Sequence, residues 1–450
     1  MLKVAIVGSG PAGFYAAGAL LASEDPLVEV DLFDRLPTPW GLVRLGVAPD
    51  HPKIKSVSRA FEKIAQRPGF RFFGNVEIGR DLAHVELVRR YDAVVYAFGA
   101  QADRRMGIPG EDIPGSWPAT AFVAWYNGHP DFQKLPFDLS TERAVVVGNG
   151  NVAVDVARML ALTAAELEPT DTTDEAIAAI VGSGIREILV LGRRGPAQAA
   201  FTTPELQELT ELAGADLVVD PADLELDAAS AAALEEDTAI ARRNVELLRE
   251  VAGRPGTAKP KTLRLRFCVS PAAILGDGRV EAVEVVRNEL VVDASGRIRA
   301  VPTDEREVIP CGLVLRSVGY RGTPMPGVPF DEERATIKND EGRVLDDDGA
   351  PTPGVYCTGW IKRGPSGVIG TNKKDANETV ELLLEDAGAG LLRREDEADI
   401  EELLSERGVT PVSYAGWQAI DAVERARGEE QGRPRVKLGK WAELLDAARP

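Results

Sequence analysis

Cysteine and histidine are scarce in this 450-residue chain, with three of each, and this scarcity excludes several kinds of chemistry. Cys268, Cys311 and Cys357 form no Cys-x-x-Cys pair, so neither a vicinal redox disulfide nor a cysteine-ligated iron–sulfur cluster is expected within the chain. The histidines are too dispersed to indicate a zinc site. We therefore expect no metal site here, and any iron–sulfur acceptor has to be another protein.

Positive charge is also in the minority, with 52 Lys and Arg against 71 Asp and Glu and a formal net charge of −19. Because nucleic acids and anionic membranes attract clustered positive charge, no nucleic-acid partner is expected. No apolar run approaches the length of a membrane span, and the first strand starts where a signal peptide would need its own segments. These absences predict a cytoplasmic protein with no integral membrane segment.

Glycines, by contrast, occupy a patterned position close to the start of the chain, in "VAIVGSGPAGFYAAGALL". An apolar strand at 4–7 leads directly into Gly8-x-Gly10-x-x-Gly13, and helical spacing of apolar residues follows. The first glycine makes the turn, the second lets the backbone approach a pyrophosphate, and the third allows close helix–strand packing. Since the helix N-terminus offers unpaired N–H groups to an anion, the stretch predicts a dinucleotide site.

A glycine pattern of this kind needs support from an acidic residue at the end of the next strand. The alternating strand "VEVDLFDR" supplies Asp34, whose carboxylate can accept hydrogen bonds from an adenosine ribose. The pattern therefore favours a nucleotide whose adenosine ribose carries no 2′-phosphate.

A second glycine turn appears in "RAVVVGNGNVAVDVARMLA", where Gly148-x-Gly150-x-x-Ala153 opens another helix. The strand after that helix ends in Arg193 and Arg194 rather than in an acid. On their own these arginines could be a solvated turn, but one strand after a glycine turn they favour a ribose 2′-phosphate, which guanidinium binds bidentately. The second site is therefore predicted to take NADP(H).

A third strand–loop–helix segment, "TPGVYCTGWIKRGPSGVIGTNKKDANETVELLL", resembles the second flavin-contacting segment of flavoproteins with two dinucleotides. A return of the chain to its first domain would make that domain discontinuous. At 450 residues the chain is long enough for two domains. The charged extension beyond about residue 395 has no functional interpretation from sequence.

Together, "GSGPAGFYAA", "PWGLVRLGVAPDHPKIK", "GNGNVAVDVARML", "GRRGPAQAAFTTPEL" and "TGWIKRGPSGVIGTNKKDA" resemble the adrenodoxin reductase family of NADPH–ferredoxin reductases, and more narrowly its actinobacterial branch. The resemblance runs to about residue 384. It implies an α/β fold like that of glutathione reductase, with two Rossmann-like domains. An NADP-binding domain at 108–322 would be inserted into an FAD-binding domain formed by 1–107 and 323–450. It also implies FAD, NADPH and an iron–sulfur ferredoxin.

The resemblance carries over to individual residues only where the motifs align. For FAD it implies contacts from Gly8, Gly10, Pro11, Ala12, Gly13, Asp34, Leu42, Ile78, Trp360, Gly367, Val368 and Ile369. For NADP it implies contacts from Gly148, Asn149, Gly150, Asn151, Arg193, Arg194 and Glu205, and Gly367 is expected near the nicotinamide as well.

Three ionisable residues match positions that the family links to proton delivery or hydride geometry: His51, Asp155 and Glu208. The pKa of an ordinary histidine suits proton exchange near neutral pH, which supports His51. Asp155 can equally be a helix acid stabilised by the dipole, and Glu208 a solvated helix acid.

The clearest local excess of positive charge surrounds Arg242 and Arg243 and is expected to dock an acidic ferredoxin. Glu246 and Glu250 partly balance it, so an ordinary charged helix face is an alternative. Two other functions stay open: an NADPH diaphorase or quinone reductase, and a non-catalytic FAD-binding redox sensor. Oligomeric state is not predicted.

Overall fold

The computed structural model describes residues 1–236 and 239–449. The chain forms two compact units. The first unit comprises Met1–Arg104 and Gly319–Pro450, and the second unit, Arg105–Val318, is inserted between these two parts of the chain. The domain boundaries drawn from the sequence, after residues 107 and 322, lie a few residues further along.

The strands, in chain order, are β1 (Leu2–Val7), β2 (Val28–Phe33), β3 (Phe70–Phe73), β4 (Ala93–Tyr96), β5 (Ala102–Asp103), β6 (Ser116–Pro118), β7 (Arg143–Val147), β8 (Glu187–Leu191), β9 (Ala215–Val219), β10 (Lys261–Arg266), β11 (Val269–Leu275), β12 (Ala282–Val292), β13 (Ile298–Pro310), β14 (Leu313–Arg316), β15 (Tyr320–Arg321), β16 (Phe330–Asp331), β17 (Thr336–Ile337), β18 (Asn339–Asp340), β19 (Arg343–Leu345) and β20 (Pro351–Cys357).

The helices, in chain order, are α1 (Pro11–Leu20), α2 (Leu42–Leu45), α3 (Pro52–Lys55), α4 (Ser58–Ala65), α5 (His84–Arg90), α6 (Ala119–Tyr126), α7 (Asn151–Ala161), α8 (Ala164–Leu167), α9 (Asp174–Val181), α10 (Thr203–Glu211), α11 (Ala228–Glu236), α12 (Ala239–Ala252), α13 (Trp360–Arg363), α14 (Ile369–Gly388), α15 (Ile400–Glu406), α16 (Tyr414–Glu430) and α17 (Trp441–Ala447). Short 3₁₀ helices span Pro196–Gln198 and Pro221–Leu224.

The first unit is built on a seven-stranded sheet in the order β18-β19-β20-β4-β1-β2-β3. Its β20, β4, β1, β2 and β3 are parallel. Alternate residues of β1 enter different cores: Val4 and Ile6 pack with α1, α14 and α16, whereas Ala5 and Val7 pack with residues of α5 and α15. Because a strand buried on both faces reads as a continuous apolar run, β1 shows no alternation in sequence.

The second unit has a six-stranded, entirely parallel sheet in the order β6-β14-β7-β8-β10-β9. Ala144 and Val146 of β7 face a core formed with α6, α7, α10 and α12. Val145 and Val147 face the antiparallel sheet β11-β12-β13. This arrangement confirms the expected α/β class with two Rossmann-like sheets.

The sheet orders also predict where a ligand binds. In the first unit the chain proceeds from β1 through β2 to β3 on one side and then reverses to β4 on the other. Ligands of open α/β sheets bind beyond the carboxyl ends of the strands at such a reversal.

None of the helices in the described parts of the chain is both long and apolar enough to cross a membrane.

Candidate functional site

The first glycine turn connects β1 to α1, and its three glycines meet three different steric demands. Gly8 has φ +109°, and a Cβ there would lie 2.6 Å from Phe98 Cα. A Cβ on Gly13 would overlap the carbonyl oxygen of Gly8, so close packing of α1 on β1 requires glycine. No described atom lies within 4 Å of a Cβ on Gly10, which is the N-cap of α1. The space in front of this helix N-terminus therefore fits a phosphate group.

Asp34 stands directly after β2, where its carboxylate joins the strand end to the glycine turn. Its Oδ2 accepts hydrogen bonds from the Ser9 N–H, at 2.9 Å, and from the Ser9 hydroxyl, and its Oδ1 accepts from the Leu36 N–H at 2.9 Å. Burial raises the pKa of the Asp34 carboxyl, and the bonds from Ser9 and Leu36 oppose that shift. The side chain is therefore fixed beside the first glycine turn.

Three other predicted residues of the first unit follow this strand end. Leu42 begins α2 and is 40% exposed, and Ile78 is buried beside Leu82. His51 is buried at the N-cap position of the short helix α3. His51 thus belongs to the first unit, whereas Asp155 and Glu208 belong to the second.

The return segment, residues 352–384, lies against the first glycine turn. β20 pairs in parallel with β4, and a Cβ on Gly359 would lie 2.7 Å from Cβ of Ala12 in α1. Gly367 has φ +80°, Val368 is 66% exposed, and Ile369 begins α14.

A buried carboxylate that sequence reasoning missed holds the return segment in place. Asp375 accepts hydrogen bonds from the Thr358 hydroxyl, at 3.0 Å, and from the Gly359 N–H. Lys362 Nζ lies 3.0 Å from its other oxygen. Nothing in the local pattern marks Asp375, because it resembles any polar residue of an amphipathic helix.

The second glycine turn repeats the first, between β7 and α7. Gly148 has φ +126°, and a Cβ there would overlap the carbonyl oxygen of Ser317. No described atom lies within 4 Å of a Cβ on Gly150, the N-cap of α7. Asn151 Oδ1 accepts a hydrogen bond from the Thr202 N–H at 2.9 Å, which ties the turn to the segment before α10. This helix N-terminus also fits a phosphate.

Arg193 and Arg194 follow β8, next to the second turn. Their backbone is fixed, because the Arg193 carbonyl accepts from Asn288 Nδ2 at 2.8 Å and the Arg194 carbonyl accepts from the Cys268 N–H at 3.0 Å. Within the described ranges neither guanidinium forms an ion pair, and Arg194 Nη2 donates to the Gln198 carbonyl oxygen at 3.5 Å. Burial and repulsion from Arg193 lower the pKa of Arg194 from its usual value. Two adjacent guanidinium groups without carboxylates fit the 2′-phosphate that the sequence predicted.

The predicted acids of the second unit converge on one residue that was not singled out, Arg158 of α7. Its guanidinium lies 2.9 Å from Asp155, 3.5 Å from Glu205 and within ion-pair distance of Glu208. The Arg158 side chain is only 2% exposed. The spacing of Asp155 and Arg158, three residues apart on one helix, was the available signal; α10 supplies the two glutamates from a distant part of the chain.

The basic helix α12 carries the predicted docking residues on an exposed surface. Arg243 lies 3.3 Å from both Glu246 and Glu250, whereas Arg242 donates to the Glu235 carbonyl oxygen at 3.4 Å. Two exposed carboxylates therefore balance part of the positive charge, as the sequence indicated.

Two glycine turns, each after a parallel strand of its own sheet, and an arginine pair after the second define a pyridine-nucleotide oxidoreductase that binds two dinucleotides. Comparison with known proteins narrows this class. Residues 2–190 match the family model "Pyridine nucleotide-disulphide oxidoreductase". The chain is 52% identical to NADPH-ferredoxin reductase FprA of Mycobacterium tuberculosis over 98% of both chains. It is 45% identical to the human mitochondrial NADPH:adrenodoxin oxidoreductase over 98% of this chain and 91% of the human one.

A solved structure agrees with these relatives. The structure of M. tuberculosis FprA in complex with NADPH is 51% identical in sequence, covers 99% of both chains and superimposes with a TM-score of 0.94. The chain therefore belongs to the adrenodoxin reductase-type family of NADPH–ferredoxin reductases, which confirms the resemblance drawn from its motifs.

Proposed function

We propose that this protein is an FAD-dependent NADPH:ferredoxin oxidoreductase. The first unit would bind FAD and the second NADP(H), with domain boundaries near 107 and 322. The observation that carries the proposal is the contrast between the two turns. The first is followed by the carboxylate of Asp34, and the second by the arginine pair Arg193–Arg194. The enzymes named above as relatives act on NADPH and on ferredoxin or adrenodoxin, which supports this assignment.

In the first unit, the backbone around Gly10 and the N-terminus of α1 would hold the FAD pyrophosphate. The carboxylate of Asp34 would accept hydrogen bonds from the ribose hydroxyls. The exposed backbone of Gly367 and Val368, at the N-terminus of α14, is available to a second part of the same cofactor. Leu42, Ile78 and Trp360 would contribute apolar contacts.

In the second unit, Gly150 and Asn151 would present the N-terminus of α7 to the NADP pyrophosphate. Arg193 and Arg194 would bind the 2′-phosphate as a pair of charge-assisted donors. Arg158 would hold Asp155, Glu205 and Glu208 at fixed positions on one side of the turn. The single positive charge of Arg158 thereby offsets part of their negative charge inside the unit.

The chemistry supplied by the bound flavin is acceptance of a hydride from NADPH and delivery of single electrons to an iron–sulfur acceptor. The chain's own contribution is orientation and proton handling. We assign proton exchange to the His51 imidazole, because histidine is the side chain that most often transfers protons in enzymes. Asp155 and Glu208 would act on the orientation of the nicotinamide.

The partner is a ferredoxin-type iron–sulfur protein, and we propose that it is acidic and docks near Arg242 and Arg243 of α12. An acidic acceptor would experience net repulsion from this acidic protein, so a local basic surface is needed for encounter. The three cysteines, all unpaired thiols, fit a cytoplasmic setting.

The test is NADPH-driven reduction of cytochrome c by the purified protein, with and without a low-potential ferredoxin, at low and high salt. We expect bound flavin, and strong stimulation by ferredoxin that weakens as salt screens the docking charges. A flavin that NADPH reduces without any stimulation by ferredoxin would favour the diaphorase. A flavin that NADPH does not reduce would favour the redox sensor.

A further inference from the structure

The loop that follows β2 lies directly on the first glycine turn. Trp40 donates its backbone N–H to the Ser9 carbonyl oxygen at 2.9 Å, and a Cβ on Gly41 would lie 3.0 Å from Gly10 Cα. Trp40 has φ +83°, a conformation that costs a bulky side chain free energy and persists only where its surroundings impose it. Something outside the loop must therefore hold residues 40–44 in this shape.

Helix α16, in the C-terminal extension, packs against Trp40. Trp417, which is 1% exposed, meets the Trp40 ring edge to face with a centroid separation of 4.9 Å. On the same indole, the guanidinium carbon of Arg44 lies 5.0 Å from the ring centroid. The two ends of the loop thus rest on one side chain of α16.

A buried ion pair between Arg44 and Glu424 also joins the 40–44 loop to α16. Glu424 of α16 accepts from two N–H groups of Arg44, one of them at 2.8 Å, and both side chains are at most 3% exposed. Glu424 also accepts from the Leu438 N–H at 2.9 Å, and Lys437 Nζ donates to the Arg44 carbonyl oxygen at 3.1 Å. The chain after α16 therefore grips the loop from a second side.

Desolvation makes a buried ion pair a poor source of stability compared with apolar packing, but its fixed geometry selects one arrangement of its partners. Here the ion pair selects one position of the 40–44 loop, in which the loop contacts Gly10. We propose that residues 413–438 clamp the 40–44 loop onto the first dinucleotide turn, with Glu424 as a positioning residue for bound FAD. This inference rests on the proposed function only in naming FAD as the ligand.

Glu424→Gln tests the clamp, because it keeps the size of the side chain and removes the charge that fixes Arg44. Asp386→Asn is the control: Asp386 forms a bidentate ion pair with Arg343, with both N···O distances 2.9 Å, in the same unit and away from the loop. FAD release from the holoprotein is followed by flavin fluorescence at a temperature where far-UV circular dichroism is unchanged. Trypsin cleavage after Arg44 is followed in parallel by mass spectrometry.

We expect Glu424→Gln to release FAD roughly tenfold faster than wild type and to be cut sooner after Arg44, whereas Asp386→Asn stays close to wild type in both measurements. The Arg44→Met/Glu424→Leu double variant guards against simple misfolding, since apolar replacement of a buried pair commonly preserves stability. It should fold and still release FAD quickly.

Wild-type FAD retention and wild-type cleavage in a folded Glu424→Gln protein would overturn the clamp. So would wild-type FAD retention by the double variant. A wild-type protein that binds no FAD would overturn the proposed function instead, and the trypsin comparison would still decide whether Glu424 holds the loop.

Discussion

At the residue scale, we propose that the choice between NADPH and NADH depends on two guanidinium groups that no described carboxylate neutralises. Arg193 and Arg194 sit after the carboxyl end of β8, and Arg186 precedes the same strand at its other end. The two ends of β8 therefore offer a test site and a matched control site on one strand.

Arg193→Ala/Arg194→Ala should weaken NADPH binding by about a hundredfold or more and NADH binding only slightly, because each charged hydrogen bond to the phosphate contributes about 1.5–3 kcal/mol. Titration of the flavin spectrum with each nucleotide measures both affinities. Arg186→Ala should leave both unchanged, and an equal loss for NADPH and NADH in the double variant would refute the assignment.

Arg158 forms ion pairs with Asp155, Glu205 and Glu208. Arg158→Gln should lower the free energy of unfolding by about 3 kcal/mol, since it leaves carboxylates close together without their shared cation. Urea denaturation measures this loss. Arg186→Ala, an exposed arginine of the same unit, should cost less than about 0.5 kcal/mol. Equal stabilities of the two variants would show that the acids are compensated by other groups.

At the scale of elements, each glycine turn contains two kinds of glycine. At some positions a Cβ would collide with the protein's own backbone, and at others the space beside the glycine is open to a ligand. Gly8, Gly13 and Gly148 are required by the chain's own backbone. Gly10 and Gly150 have no described neighbour at the Cβ position.

The two kinds of glycine predict different effects for alanine substitutions at Gly13 and Gly10. Gly13→Ala should lower the free energy of unfolding of the apoprotein by about 1–3 kcal/mol, because the new Cβ would overlap the Gly8 carbonyl oxygen. Gly10→Ala should leave apoprotein stability within about 0.5 kcal/mol of wild type and still weaken FAD binding. Thermal denaturation without FAD and titration of the apoprotein with FAD distinguish them; a Gly10→Ala protein with normal FAD affinity would contradict the assigned position of the pyrophosphate.

The packing of α16 against the 40–44 loop carries a pH dependence. Burial alone would raise the pKa of the Glu424 carboxyl, but Arg44 and Arg435 beside it hold that pKa below its usual value. A carboxyl with a depressed folded-state pKa stabilises the fold above its unfolded pKa, about 4.3, and loses that contribution as the pH falls through the folded value. The stability difference between wild type and Glu424→Gln should therefore be constant from pH 7 to about 5 and shrink below about 4. Urea denaturation across this range measures it, and a difference that widens in acid would exclude a charged Glu424.

At the scale of the whole molecule, the net charge of −19 would repel an acceptor that is acidic, as we propose the ferredoxin to be. Arg242→Glu/Arg243→Glu should raise the KM for ferredoxin severalfold at low ionic strength, and the difference should vanish near 0.5 M salt, where the Debye length is only about 4 Å. Steady-state kinetics with varied ferredoxin measure this effect. Arg297→Glu/Arg299→Glu, on the exposed end of the β12–β13 hairpin, makes the same change in total charge at another surface. If both variants raise KM equally, overall repulsion and not a docking site is responsible.

The sequence by itself determined the family, the two Rossmann-like sheets and the two glycine turns that open α1 and α7. These features were readable because strand, turn and helix occupy about twenty consecutive residues, and steric requirements on glycine act within that window. The arginine pair was readable for the same reason, since it follows the glycine turn by one strand.

Only the tertiary structure decided which side chains hold these turns in place. Arg158 collects carboxylates from two helices, and Arg44 meets Glu424 across 380 residues of chain. Such pairs leave no trace in local spacing, because a buried ion pair depends on how distant segments are brought together by the folded cores. The C-terminal extension, which had no interpretation as a sequence, acquired one only when its helix was found against the loop of the first turn.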